Sequence, residues 1–129
     1  MSSEYKTTPK HFALFKKTVY VWLDHFGLKD WEIIISHDIP VSVDDAMGAC
    51  GTDLAQRSCT IYLNKEWDVP VTDEFVKATA FHEVGELLLA PIDILARVTE
   101  RMISPDEFDS AKHAIIARLY NSIAAEKYR

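Results

Sequence analysis

The chain is organised around the segment Phe81-His82-Glu83-Val84-Gly85-Glu86-Leu87-Leu88-Leu89-Ala90-Pro91. In a helix, residues four apart lie one turn along the same face, so the side chains of His82 and Glu86 can converge on one point. Glu83 lies one step round the helix, near the same edge. Because apolar residues surround these three polar ones, the segment predicts a central, buried helix that carries a polar site and ends at Pro91.

The polar residues of this helix have the spacing and the chemistry of metal ligands. The pattern matches H-E-x-x-H, the helix motif of zinc peptidases, with Glu86 in place of the second histidine. A carboxylate oxygen binds zinc as an imidazole nitrogen does, so the exchange keeps a metal site possible. Charged groups on a buried helix cost several kcal/mol unless they are paired or bound to a metal.

A third ligand is available on the last helix, at His113. Two alternatives stay open at this point. The three polar residues of the motif can face solvent at a helix surface, and His113 can be an ordinary histidine beside the core.

Length and charge restrict the class of protein. A chain of 129 residues with 48% hydrophobic residues predicts one globular domain. A net charge of −6 argues against a protein that binds the phosphate backbone, which needs clustered Lys and Arg, so we expect no nucleic-acid partner. An acidic decoy of a host nucleic-acid enzyme would need a dense acidic face, and the acidic residues here are scattered.

The sequence contains neither an apolar run after the first residues that resembles a signal peptide nor about 18 consecutive apolar residues. We therefore expect no membrane partner and a cytoplasmic location. Cys50 and Cys59 flank a predicted turn, so we expect two free thiols that face each other across a hairpin.

The element pattern predicts an α+β fold. Residues 1–8 are expected to form a flexible tail, and residues 9–129 a single domain. An N-terminal helix begins at Thr8-Pro9 and ends at Gly27. Segments 31–37, 46–52 and 58–63 predict about three strands in a mainly antiparallel sheet. The central helix follows from Thr72, then a short helix over 92–104 and a last helix over 105–127, capped by Ser104.

Four segments of the sequence resemble a known family: 21–23, 27–33, 80–91 and 113–119. They are similar to the small zincin-like metallopeptidase-type proteins encoded by bacteriophages and prophages, minimal relatives of the gluzincin and SprT-type zinc peptidases. The similarity covers about residues 9–123. In the more usual members the helix reads H-E-x-x-H and a glutamate on the following helix is the third ligand. Here Glu86 and His113 exchange these types, which leaves two imidazoles and one carboxylate.

The resemblance implies a zincin-like domain in which His82, Glu86 and His113 hold Zn²⁺ with the fourth position open to water. Glu83 would be the catalytic base, and a peptide would lie along an exposed sheet edge. Tyr120 is a candidate oxyanion donor, with a structural role as the alternative.

The implied function is a phage-encoded zinc-dependent metallopeptidase that acts on a peptide or protein substrate in the cytoplasm of an infected bacterial host cell. The alternative is a catalytically inactive zincin-fold metal-binding protein, a phage interaction or host-takeover factor whose partner is a host bacterial protein.

Overall fold

The computed structural model describes residues 5–40, 46–98 and 105–124. The elements in order are β1 (Tyr5–Lys6), α1 (Pro9–His25), β2 (Glu32–Ser36), β3 (Gly48–Asp53), β4 (Ser58–Leu63), β5 (Glu66–Trp67), α2 (Asp73–Leu88), α3 (Ala90–Val98) and α4 (Pro105–Leu119), which continues as a π-helical turn (Tyr120–Ala124). The α+β prediction is confirmed. The predicted cap at Ser104 and the predicted continuation of the last helix beyond residue 124 lie outside the described residues.

Helix α1 has a hydrogen-bonded cap at its first residues and a glycine just after its last. The Thr8 hydroxyl accepts a hydrogen bond from the His11 backbone at 3.2 Å, and the His11 imidazole accepts one from the Thr8 backbone at 3.0 Å. This reciprocal cap satisfies two of the free N–H groups of the helix start. At the other end Gly27 has φ +66°, a conformation that glycine adopts without strain. Of the two histidines on this helix, His25 is exposed and His11 is half-buried in the cap.

The three-stranded sheet is mixed, with the strand order β2-β4-β3. β3 and β4 pair antiparallel through a tight connection, as predicted. β2 and β4 pair in parallel, with Ile33 opposite Cys59, so the expectation of a mainly antiparallel sheet was wrong. The alternation of apolar and polar residues identifies a strand but not its direction in the sheet. The long connection that contains β3 lets β2 reach the far side of β4 in the same orientation.

A second, two-stranded sheet joins β1 to β5, with Tyr5 opposite Trp67. The Thr7 backbone N–H donates to the Lys65 carbonyl at 2.9 Å, and the buried Thr7 hydroxyl donates to the Asn64 carbonyl at 2.9 Å. Residues 5–8, expected to belong to a flexible tail, are therefore fixed to the rest of the fold. Residues 1–4 lie outside the described part.

Helix α2 lies at the centre of the fold, as predicted. The Thr72 hydroxyl caps it by accepting from the Phe75 backbone at 3.1 Å, and two acids follow in the first turn, where they suit the helix dipole. Its core residues, each at most 1% exposed, are Val76, Ala80, Phe81, Val84 and Leu87. α2 packs against α1 on one side and β3 on the other. α2 ends at Leu88, three residues before the predicted end at Pro91. Leu89 forms the turn that separates it from α3, and Pro91 falls in the first turn of α3, where proline is tolerated.

Helix α4 approaches α2 closely at Gly85. A Cβ atom built on Gly85 would lie 3.1 Å from two side-chain carbons of Ile116, which is 2% exposed. A larger residue at position 85 would therefore force Ile116, or the helix that carries it, to shift. Among the described helices, none combines the length and the apolar character needed to cross a bilayer.

Candidate metal centre

The structure brings together the three predicted ligands, although they come from two helices. His113 Nε2 lies 2.9 Å from Glu86 Oε2, and His82 Nε2 lies 3.6 Å from the same oxygen. One donor atom from each residue can be chosen so that all three lie within 4.8 Å of one another. Ligands at about 2.0–2.2 Å from a tetrahedral zinc ion lie about 3.3–3.6 Å apart, so small side-chain movements suffice to enclose an ion. The group can therefore bind a metal ion.

The close contact between Gly85 and Ile116 explains how the two helices meet at this point. His113 lies one turn before Ile116 on α4, and Glu86 follows Gly85 on α2. Residues three apart share a helix face, so the contact that seats Ile116 also directs His113 toward α2. The ring centroids of His82 and His113 lie 5.1 Å apart.

The carboxylate of Glu86 is charged and firmly held. Burial pushes its pKa upward, but hydrogen bonds from His82, Lys112 and His113 outweigh burial and hold the pKa at about 2. The pKa of His82 is raised, chiefly by its hydrogen bond to Glu86. The side chain of Glu86 is 18% exposed, whereas those of the two histidines are 40% and 47% exposed. The group thus lies at the rim of the core, where solvent can reach the imidazoles.

Lys112 is a member of the site that the sequence did not reveal. Its side chain is 8% exposed, and its Nζ atom lies 2.7 Å from Glu86 Oε1. Asp93 Oδ2 on α3 and Asp109 Oδ1 on α4 each lie 3.7 Å from the same nitrogen. Burial lowers the pKa of Lys112, but Glu86 and the two aspartates raise it by more, so the amine stays charged. The signal in the sequence that could have found part of this cluster is the spacing of Asp109 and Lys112, because residues three apart on a helix can form an ion pair.

Glu83 is the most deeply buried carboxylate of the motif, at 6% exposed. Burial raises its pKa to about 7. It faces β3: a Cβ atom built on Gly48 would lie 3.4 Å from Glu83 Oε2 and 2.8 Å from both Thr79 Cγ2 and the Tyr62 carbonyl oxygen. Glycine at position 48 therefore lets strand β3 pass directly against the helix at the candidate catalytic residue. The alternative that the whole motif faces solvent does not hold for Glu83.

A cleft runs between α2 and the outer edge of β3. One cavity of about 440 Å³ contains the three candidate ligands, together with Lys112 and Cys50. A second, of about 510 Å³, extends from the same centre toward the start of α2 and is lined by apolar side chains that include Met47, Phe75 and Ala78. The two cavities share four residues: Ala46, Gly48, His82 and Glu83. The site is therefore one elongated cleft with a charged end and an apolar end.

Tyr120 and the two cysteines complete the sequence predictions. Tyr120 packs edge-on against Phe81, with ring centroids 5.6 Å apart, and lines neither cavity, which agrees with the structural alternative.

Cys50 and Cys59 are free thiols whose Sγ atoms lie 3.4 Å apart across the β3–β4 hairpin, as predicted. The hydrogen bond between them is the main reason that the pKa of Cys50 is raised, so its thiol stays protonated.

Comparison of the chain with protein-family models, with curated proteins and with solved structures found no match. The family resemblance therefore stays a prediction.

Proposed function

We propose that this chain is a zinc-dependent hydrolase that cleaves peptide bonds, with His82, Glu86 and His113 as metal ligands and Glu83 as the catalytic base. The observation that carries the proposal is the convergence of two imidazoles and a carboxylate from two helices, with a second, buried carboxylate beside them in an open cleft. A zincin-like assignment of the fold belongs to the same proposal.

The donor set suits zinc. Two imidazole nitrogens and one carboxylate oxygen form a typical catalytic zinc site with one open position. When bound, zinc would supply a Lewis acid that lowers the pKa of a coordinated water molecule toward about 7. The exposed imidazole edges of His82 and His113 leave the site open to substrate from the cleft.

Glu83 has the properties of a general base. A base works best when its pKa lies near the operating pH, and burial raises the pKa of Glu83 to about 7. As the neighbour of His82 on α2, it lies beside the proposed ligands without belonging to the cluster that can hold the ion. In the proposed reaction its carboxylate accepts the proton of the attacking water and passes it to the leaving amine.

The position of β3 supports a peptide as the substrate. β3 is an outer strand of its sheet, and the cleft lies along it. An extended peptide can add to such an edge through backbone hydrogen bonds, which fixes a peptide of any sequence across the site. A phage origin and action on a host bacterial protein, as the resemblance implies, remain part of the proposal.

A second candidate is a metal-binding interaction protein without turnover. The imidazoles of His82 and His113 are 40% and 47% exposed, so the centre can hold an ion near the surface without enclosing a substrate. This candidate predicts metal binding and no cleavage.

Metal analysis followed by a cleavage assay separates the two candidates. Protein purified without added metal is analysed for zinc and then incubated with an unfolded protein substrate. We expect one zinc ion per chain and cleavage by the wild type, and a loss of at least about 100-fold in rate for Glu83→Gln with zinc retained. Glu32→Gln, at an exposed position on β2, is the matched control.

Absence of zinc from the wild type, before and after incubation with excess zinc, would refute the metal centre and both candidates. Zinc without cleavage in the wild type and in Glu83→Gln alike would favour the interaction protein.

A further inference from the structure

The ammonium group of Lys112 lies among three carboxylates from three helices. Glu86 on α2 contacts it at 2.7 Å, and Asp93 on α3 and Asp109 on α4 each lie at 3.7 Å. A lysine side chain that is 8% exposed is rare in proteins, because burial removes the solvation of its charge. The proposed catalytic mechanism does not use this cation.

The two oxygens of Glu86 face different side chains. Oε2 lies beside the imidazoles of His82 and His113, whereas Oε1 accepts a hydrogen bond from Lys112. In hydrolases with two metal ions, the ions lie about 3.5–4 Å apart, and a carboxylate that faces both can hold one ion through each oxygen. The ammonium of Lys112 lies on the side of Glu86 where a second ion would lie.

We propose that Lys112 takes the place of a second metal ion, so that the centre holds one ion and Glu86 binds it through Oε2 alone. The inference rests on the proposed metal centre and concerns its stoichiometry and coordination. Two physical effects act together. The ammonium repels a second dication, and its hydrogen bond occupies the oxygen that Glu86 would need to bind one ion through both atoms.

Removal of the ammonium should convert the charged end of the cleft into a cation site. Without Lys112, the carboxylates of Glu86, Asp93 and Asp109 lose the cation that they share. Mn²⁺ and Ca²⁺ prefer oxygen ligands at short distances, so such a group of carboxylates attracts them. The two aspartates lie on helices that meet at Lys112, so an ion can draw them inward by about 1.1–1.7 Å to reach ligand distances of 2.0–2.6 Å.

The test is the number of Mn²⁺ ions bound per chain at equilibrium. We expect one ion for the wild type and two for Lys112→Met, which keeps most of the apolar stem but removes the charge. Lys112→Arg keeps the charge and should bind one ion. Lys16→Met, at an exposed position on α1, controls for loss of a lysine elsewhere.

A spectroscopic measurement reports whether the two ions are neighbours. Two Mn²⁺ ions bridged by Glu86 should give a spin-coupled paramagnetic resonance spectrum in Lys112→Met, and the wild type should give that of an isolated ion. A merely structural role for Lys112 would change the melting temperature but not this spectrum. In chelator, the melting temperature of Lys112→Met should fall below that of the wild type, and Mn²⁺ should raise it by more than it raises that of the wild type.

The outcomes distinguish this inference from the proposed function. One ion per chain in both wild type and Lys112→Met, with the same spectrum, would overturn the role of Lys112 and leave the metal centre intact. No ion in either protein would overturn both. Lys112→Gln, a smaller polar substitution, serves if Lys112→Met does not fold. Failure of both variants to fold in Mn²⁺ would also contradict the inference, because a second ion should replace the missing charge.

Discussion

The burial of Glu83 lowers the stability of the folded chain at neutral pH, whereas the raised pKa that it causes suits the proposed chemistry. Its folded-state pKa of about 7 exceeds the ordinary value of 4.5, because burial disfavours the charged form. Below pH 4.5 the carboxyl is protonated in the folded and the unfolded chain alike. Between pH 4.5 and 7 only the folded chain keeps the proton, so the free energy of unfolding falls as the pH rises through that range.

We therefore expect Glu83→Gln to stabilise the metal-free protein at pH 8. A shift of that size corresponds to about 3–4 kcal/mol at pH 8, and the difference from the wild type should nearly vanish at pH 4.5. Urea denaturation in the presence of a chelator measures it, with Glu32→Gln as the exposed control. If Glu83→Gln and the wild type differ in free energy of unfolding by the same amount at both pH values, the charge of Glu83 does not destabilise the folded protein.

His113 gives a second prediction at the residue scale. His113→Ala removes one of the three donors, so zinc affinity should fall by roughly 100-fold or more, since loss of a ligand's hydrogen-bond partner alone costs 10–100-fold. Competition with a chromogenic chelator measures the affinity. His25→Ala, on the exposed side of α1, should leave it unchanged, and an unchanged affinity in His113→Ala would exclude that residue as a ligand.

The three candidate ligands could be predicted because their chemistry is visible along the chain. His82 and Glu86 lie four apart on a helix, and His113 supplies a third donor of the right type. Lys112 and Gly48 could not be predicted in the same way, because the role of each depends on a neighbour from a distant element. Nothing in the sequence near Lys112 indicates that Glu86 lies 2.7 Å from its amine.

At the scale of elements, the contact between α2 and α4 determines whether the ligands meet. A methyl group at position 85 would lie 3.1 Å from Ile116 carbons, so Ile116, or the helix that carries it, must shift by a few tenths of an ångström. Alanine also favours helix over glycine by about 0.5–1 kcal/mol. Gly85→Ala should therefore change stability little, while zinc affinity falls because His113 moves away from Glu86.

The double variant Gly85→Ala/Ile116→Ala should recover part of the lost affinity, because alanine lacks the Cγ1 and Cγ2 atoms that the added methyl group would meet at 3.1 Å. Gly51→Ala is the control, since a methyl group there meets its nearest atom at an ordinary 3.9 Å. Calorimetric titration with zinc and thermal unfolding measure the two effects separately. A fall in stability without a change in zinc affinity would show that the contact does not position the ligand.

The elements themselves were easier to predict than their arrangement. α1 and α2 follow from capping threonines and apolar periodicity, and the β3–β4 hairpin is local. The direction of β2 was wrong, because the pairing of strands distant in sequence depends on how the whole chain closes. The pairing of Tyr5–Lys6 with β5 was missed for the same reason, since two residues carry no strand pattern of their own.

At the scale of the whole molecule, the apolar end of the cleft indicates which substrates the proposed enzyme prefers. Met47 and Phe75 are 40% and 46% exposed and line the cavity that adjoins Glu83. A large apolar side chain next to the scissile bond would cover them, and burial of apolar surface contributes about 25 cal/mol per Å². We expect cleavage sites with Leu, Phe or Met on that side of the bond.

Phe75→Ala should weaken this preference by roughly 10-fold, the effect expected when 1–2 kcal/mol of apolar contact is lost. Sequencing of the products from a mixed peptide library measures the preference. Tyr20→Ala, at a similarly exposed aromatic residue on α1, is the control. A cleavage pattern that is the same in both variants and the wild type would show that the apolar cavity does not select substrates.

The small sheet at the start of the chain has a practical consequence for anyone who prepares shortened versions of this protein. Thr7 is joined to Asn64, and the Asn64 side-chain amide in turn donates to the Ala46 carbonyl at 2.7 Å, while the Trp67 indole donates to the Met47 carbonyl at 3.2 Å. Deleting the first seven residues would therefore remove hydrogen bonds that help to hold Ala46 and Met47, the residues that lead into β3. We expect such a deletion to loosen Ala46 and Met47, which line the cleft although they lie far along the chain from the deleted residues.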